Sequence, residues 1–147
     1  MRRFVRCTCF LLAMVMALSV PAFAAETIEP KASNFFMGSS VYLGNVSGTS
    51  FAACFDVTGT GMMDAIGANF IKIQRSSDGV NWTTVLTCSK DNYLYFVDYN
   101  SASHAASVSV NVTGGYYYRA YIELYAKKGV NTGTMDRYTS KIYIPAN

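Results

Sequence analysis

Polar and apolar residues alternate along most of the chain after residue 35. In residues 116–126 ("YYYRAYIELYA") the even positions carry an apolar set that includes Ile122 and Leu124, and the odd positions carry Arg119 and Glu123. Such alternation predicts a β-strand with one buried face. The same period occurs in residues 51–57, 69–75, 107–113 and 139–144, and more weakly in residues 40–46 and 82–89.

These strands define the predicted fold class. About seven short strands with turn signals between them are typical of an all-β domain, and we predict a single two-sheet antiparallel β-sandwich, with a small barrel as the alternative. The domain is expected to span residues 35–147, after a flexible lead at residues 25–34. No segment from residue 26 onward has a helical period, although residues 63–66 are compatible with one helical turn.

The first 24 residues have the features of a signal peptide. Arg2, Arg3 and Arg6 precede an apolar run at residues 10–20, and "AFA" at residues 22–24 provides the small residues of a cleavage site. The apolar run is shorter than the roughly 20 residues needed to span a bilayer. We therefore expect cleavage after Ala24 and secretion to the extracellular space, with no membrane anchor after processing.

Charge argues against a nucleic-acid partner. The chain has 12 Lys and Arg and 9 Asp and Glu, but three of the arginines belong to the predicted signal peptide, so the remaining residues carry no net charge. A protein that binds DNA or RNA is expected to keep a basic excess.

Two cysteines remain after the predicted cleavage, Cys54 and Cys88. In an oxidising compartment they have one possible intramolecular pairing, so a disulfide is expected, and two buried free thiols are the alternative. Zinc needs four Cys or His ligands, and here two distant cysteines accompany the single His104. The sequence therefore predicts no metal site and no cofactor.

The stretch "SSDG" at residues 76–79 separates two alternating runs. Asp78 is a lone acidic residue, whereas a calcium loop needs several oxygen ligands at alternate positions. Asp and Gly together favour a tight turn, because the Asp side chain bonds its own backbone and Gly accepts a positive φ. We predict a hairpin turn here, with Trp82 folding back over the hairpin.

The stretch "IKIQRSSDGVNWTTV", followed later by "GGYYYRAYIELYA", resembles the fibronectin type III pattern. In that pattern a strand with Arg-Ser precedes a Ser-Asp-Gly turn and a Trp, and a later strand begins Tyr-x-Tyr-Arg. The longer stretches "IGANFIKIQRSSDGVNWTTV" and "YYYRAYIELYAKKG" are similar to small exported proteins of gut-type Gram-positive bacteria that form a domain family of unknown function. Both resemblances imply an immunoglobulin-like or fibronectin type III-like sandwich, and the second also implies export; neither implies an activity.

The odd positions of residues 116–126 form a candidate binding face. If the strands at residues 70–75 and 139–144 flank this strand, one surface gathers Tyr117, Arg119, Tyr121, Tyr125, Lys72 and Tyr143. Aromatic rings interleaved with cations suit an extracellular glycan or a protein partner. Ordinary cross-strand pairing is the competing interpretation of these residues.

Three functions remain open. The first is a secreted, non-enzymatic module that binds a glycan or a protein. The second is a surface or matrix protein that associates with itself through the aromatic face. The third is a small hydrolase that uses His104, although the chain has no Gly-x-Ser-x-Gly motif and its acidic residues are scattered singly, so we predict no catalytic residues.

Overall fold

The computed structural model describes residues 34–146, and this part of the chain is built from antiparallel strands. One 3-10 turn, Leu94–Phe96, lies between the third and fourth strands. The all-β prediction is confirmed. The strands are β1 Phe36–Ser47, β2 Ser50–Ser76, β3 Thr83–Ser89, β4 Val97–Asn111, β5 Tyr116–Lys128, β6 Asn131–Tyr138 and β7 Ile142–Ile144.

Strand β2 organises the sheet. It is 27 residues long; its first half pairs with β1 and β4, and its second half pairs with β3 and β5. Strand β5 in turn pairs with β6 and β7. The hydrogen bonds therefore run through one seven-stranded sheet. The finer prediction, that this sheet forms a two-sheet sandwich, stays a prediction.

The sheet curls because β2 changes register and direction near its middle. Its pairing with β4 shifts between Thr58 and Met63, and Gly67 has a φ of 156°. The first half of β2 then packs against β5, the strand that pairs with its second half, so that the ring of Phe51 lies 5.8 Å from the ring of Tyr118. The sequence was compatible with one helical turn at Met63–Ile66, but in the structure these residues continue the strand.

The core lies inside this curl and follows the predicted alternation. Side chains from both halves of β2 meet those of β4 and β5 and the 3-10 turn, and burial of these apolar surfaces is the main source of stability. The largest fully buried side chains are Tyr118, Phe51, Phe55, Phe96, Met63, Ile66, Ile71, Ile73, Ile122, Leu124, Ile144 and Val57.

The two cysteines are buried and unbonded, so the disulfide predicted between Cys54 and Cys88 is not formed in this structure. Cys88 belongs to the core cluster, opposite Ile71. Cys54 stands between two core residues of an alternating strand, so it points to the other face, where it pairs with Tyr42 of β1. Opposite faces of the sheet separate the two thiols.

Candidate binding face on strand β5

The outward side chains of β5 form the centre of the face. Tyr117, Arg119, Tyr121, Glu123 and Tyr125 alternate with buried residues and are each half-buried. We call these five residues, together with the side chains that contact them, the β5 face.

Neighbouring strands complete the face as the sequence suggested. On β2, Lys72 lies opposite Tyr121 and Gln74 lies opposite Arg119. On the other side, Tyr143 of β7 lies opposite Tyr117, and the two ring centroids are 5.0 Å apart. All six candidate residues therefore lie on one surface, with Tyr125 at the end remote from Tyr143.

Arg119 is held between two aromatic rings. Its guanidinium carbon lies 4.3 Å from the centroid of Trp82 and 4.6 Å from that of Tyr138, and its Nε donates a 2.8 Å hydrogen bond to Oε1 of Gln74. Contacts with two aromatic rings and a hydrogen bond from Nε restrain the orientation of the guanidinium. Its terminal nitrogens make no hydrogen bond within residues 34–146.

Lys72 and Tyr121 form the next part of the face. The Lys72 ammonium lies 4.6 Å from the ring centroid of Phe70 and 5.8 Å from that of Tyr121. The ring centroids of Tyr121 and Tyr138 are 4.9 Å apart. Burial, together with a hydrogen bond to the Asp136 carboxylate, raises the pKa of Tyr121 to about 12. Tyr121 is therefore a neutral phenol at physiological pH.

At the far end of β5, Tyr125 contacts a third cation. The Lys90 ammonium lies 4.1 Å from the Tyr125 ring centroid and donates a 2.8 Å hydrogen bond to Asn69, whose amide donates to Glu123 at 2.6 Å. Glu123 and Asp136 make this end of the face more acidic than the end near Tyr117.

The near end of the face adjoins the predicted hairpin turn. Lys141 lies 5.4 Å from the Tyr117 ring centroid and donates a 3.1 Å hydrogen bond to the carbonyl of Gly79. Inside the turn, the Asp78 carboxylate accepts hydrogen bonds from the backbone of Val80 and Asn81. These bonds hold the pKa of Asp78 well below its usual range. Asp78 is thus occupied in shaping the turn.

Sequence reasoning missed three contributors, Trp82, Tyr138 and Lys90. Tyr138 was missed because β6 contains Gly133 and Thr134 and lacks a clear alternation, so no strand was predicted there. Lys90 lies just after β3, and nothing in its local sequence indicates a contact with Tyr125. The sequence predicted that Trp82 folds back over the hairpin, but it did not predict the contact of Trp82 with Arg119.

His104 lies outside the β5 face. Its Nε2 is 2.8 Å from the carbonyl oxygen of Tyr95, and its ring packs 5.8 Å from Phe55. Its described contacts therefore include no serine or carboxylate that would form a catalytic set. The described part of the chain also has no group of three or more His, Cys, Asp or Glu arranged to hold a metal ion.

Comparison with known proteins gives little beyond this geometry. No protein-family model matches the chain, and no curated protein matches it. The chain is similar to the solution structure of a late embryogenesis abundant (LEA) protein, with 14% identity, a TM-score of 0.45, and coverage of 98% of this chain and 89% of that one. A likeness at that level supports no argument. Within residues 34–146 we find no helix with the length and apolar character to cross a membrane.

Proposed function

We propose that the protein is a secreted, non-enzymatic binding protein that holds an extracellular glycan or protein on its β5 face. The observation that carries this proposal is the position of Arg119 between Trp82 and Tyr138, with Gln74 at its edge. A cation with a fixed orientation and unused terminal donors, flanked by aromatic rings, is suited to recognising a ligand with acceptor groups.

Aromatic side chains supply contact area at a low entropic cost. Tyr and Trp have few rotatable bonds, and those of the β5 face are further restrained by their contacts with each other and with the cations. Tyr138 and Tyr143 keep 54% and 53% of their surface exposed. Binding therefore orders few additional side chains, which leaves more of the contact energy for affinity.

The length of the face permits several contacts at once. Tyr117 and Tyr121 are four residues apart, which is about 13 Å along a strand, and Tyr125 lies about 13 Å further on. An extended ligand such as a glycan chain or a protein segment matches this length better than a small molecule does.

The sandwich architecture is part of the same proposal. The Tyr118 hydroxyl, near the start of β5, donates a 2.7 Å hydrogen bond to the carbonyl of Thr113. A tyrosine that bonds back to the backbone a few residues upstream is a recurring device of immunoglobulin-like sandwiches. This bond supports the interpretation of the curled sheet as two layers that share β2.

The test is a screen of the exported protein on glycan and extracellular-protein arrays, followed by affinity measurements on any ligand found. Tyr143→Ala and Tyr121→Ala remove rings from the face, whereas Tyr99→Ala removes a tyrosine that is 68% exposed on β4. We expect each face variant to lose about 1–2 kcal/mol of binding free energy, and Tyr99→Ala to lose almost none.

Thermal melting and light scattering complete this test. A face variant that binds normally, or that weakens binding no more than Tyr99→Ala does, contradicts the proposal. A wild-type assembly that dissociates on Tyr143→Ala would instead identify the face as a contact between copies of this chain.

A further inference from the structure

A cleft lined by residues of β3 and β4 opens into the core. Strands β3 and β4 each pair with β2 alone. The other side of β2 is more closed, because β1 contacts β6 there. The Ser39 hydroxyl on β1 lies 3.1 Å from Nε of Arg137 and 3.5 Å from the sulfur of Met135. The cleft has a volume of about 230 Å³. It is separate from the β5 face.

The base of the cleft and its wall on β3 are apolar. Ile73, Val110 and Tyr118 are buried core residues that reach its base. Val85 and Leu86 line it from β3 and keep 44% and 41% of their surface exposed. Partly exposed apolar side chains that adjoin a core opening gain free energy when a ligand covers them.

A β-bulge explains why two consecutive residues of β3 line the cleft. Ile73 pairs with Leu86 and Gln74 pairs with Thr84, so Val85 is an extra residue without a partner on β2. In a regular strand, Val85 and Leu86 would point to opposite faces. Bulges redirect a side chain in this way, and they are common beside binding sites.

One end of the cleft is polar and cationic. The Arg75 guanidinium lies 4.4 Å from the ring centroid of Tyr116 and makes no hydrogen bond within residues 34–146. Asn111 and Thr113 also border the cleft, and the Thr113 carbonyl accepts the hydrogen bond from Tyr118. An unpaired guanidinium beside an apolar cavity favours a ligand that carries an anionic group at one end.

We propose that this cleft binds a small amphiphilic carboxylate, with its alkyl chain between Val85, Leu86 and Val110 and its carboxylate on Arg75. The volume lies below the range of about 300–1,000 Å³ that is usual for drug-sized ligands, so a short or medium alkyl chain fits better than a long one. This inference does not depend on the β5 face, since the two surfaces share no residue.

The experiment compares octanoate with octanol, which has the same chain length but no charge, in titrations of the exported protein followed by amide NMR shifts. Octanoate is expected to shift the amides of Leu86 and Val110 and to bind at least about tenfold more tightly than octanol. Arg75→Gln is expected to remove this preference, because the charged partner of the carboxylate is lost.

Two further variants block or spare the cleft. Leu86→Trp fills the space beside Val110 and should abolish the shifts; if that variant does not fold, Val85→Asp places a repelling carboxylate at the bulge and should weaken octanoate alone. Lys72→Gln on the β5 face should leave binding unchanged. Equal affinities for octanoate and octanol, unchanged octanoate binding in Arg75→Gln, or shifts confined to residues outside the cleft would each overturn the proposal.

Discussion

The guanidinium carbon of Arg119 lies 4.3 Å from the ring centroid of Trp82, although the two residues belong to regions that do not pair with each other. Arg119 is on β5, and Trp82 precedes β3, on the opposite side of β2. The Trp82 ring therefore passes over β2 to reach Arg119. This contact therefore connects the chain just before β3 to β5 across β2, on the outer surface of the sheet.

Replacement of Arg119 by alanine should lower the free energy of unfolding by about 1–2 kcal/mol. The variant loses two stacking contacts of a partly exposed cation and the hydrogen bond to Gln74. Urea denaturation measures this change. The matched control is Arg137→Ala on β6, an exposed arginine that donates to the Ser39 hydroxyl and to the Asp136 carbonyl but contacts no aromatic ring among the described residues, and for it we expect at most about 0.5 kcal/mol. Equal losses in the two variants would show that the stacking adds no stability.

Asp78 should make stability depend on pH. Backbone N–H groups of Asn81 and Val80, and then the Ser76 hydroxyl, hold the pKa of the folded carboxyl well below that of the unfolded chain. A lowered pKa stabilises the fold fully above the unfolded pKa, which is about 3.9, and this contribution is lost as pH falls towards the folded value.

We therefore expect wild type to melt at a higher temperature than Asp78→Asn at pH 7, with the difference shrinking below about pH 4. Melting curves of both proteins between pH 7 and pH 2.5 measure this difference. A constant difference across the range would mean that the carboxylate charge does not matter to the turn.

Cys54 and Cys88 should be protected thiols in the native protein. Their side chains are 8% and 0% exposed, so alkylation should be slow under native conditions and complete in denaturant. Mass spectrometry of the labelled peptides follows each thiol separately. Because no disulfide joins them in this structure, a reducing agent should leave the melting temperature unchanged. A drop in melting temperature on reduction would instead reveal a bond between them.

Gly67 should tolerate no side chain. It has a φ of 156°, and an added Cβ would lie 2.8 Å from Cα of Val97, beside the 3-10 turn. Gly67→Ala should therefore lower the free energy of unfolding by about 3 kcal/mol, through backbone strain and overpacking. Gly38→Ala is the control, because an added Cβ there has no atom within 4 Å. Similar melting temperatures for the two variants would contradict this reasoning.

The outward face of β5 could be predicted because residues 116–126 alternate without interruption. Residues 116–126 were predicted as a strand, and the structure extends that strand to Lys128. The alternation also showed which of its residues point outward. The neighbours of this strand followed from the expected sandwich order, and the structure places β2 and β7 beside it.

The bend of β2 could not be predicted in the same way. Residues 51–57 and 69–75 were predicted as separate strands from their alternation, and the stretch between them contains Gly59, Gly61 and Gly67, a residue type common in turns. In the structure Gly59 and Gly61 lie where β2 changes register, and Gly67 lets it approach the backbone of Phe96 and Val97 closely. Local sequence does not show whether a glycine-rich stretch reverses the chain or bends it, since the choice depends on partners far along the chain.

The sequence contains a signal for the absence of a bond between Cys54 and Cys88 in this structure. The alternation that placed Ala53 and Phe55 in the core also placed Cys54 on the opposite face of the strand. Applied to both cysteines, that rule would have argued against their pairing. The expectation of a bond rested on compartment and cysteine number alone.

The length of β2 also determines the order in which this protein can fold. Its hairpins with β1 and β3 are local and lie on opposite edges, and the rest of each edge pairs with a strand far along the chain, as when Ser50 pairs with Asn111. Proteins with such distant pairings fold in milliseconds to seconds, more slowly than proteins with local contacts. Until β4 and β5 have been synthesised, β2 keeps an unpaired stretch on each edge, beside β1 and beside β3, and such open edges are where newly made chains can aggregate.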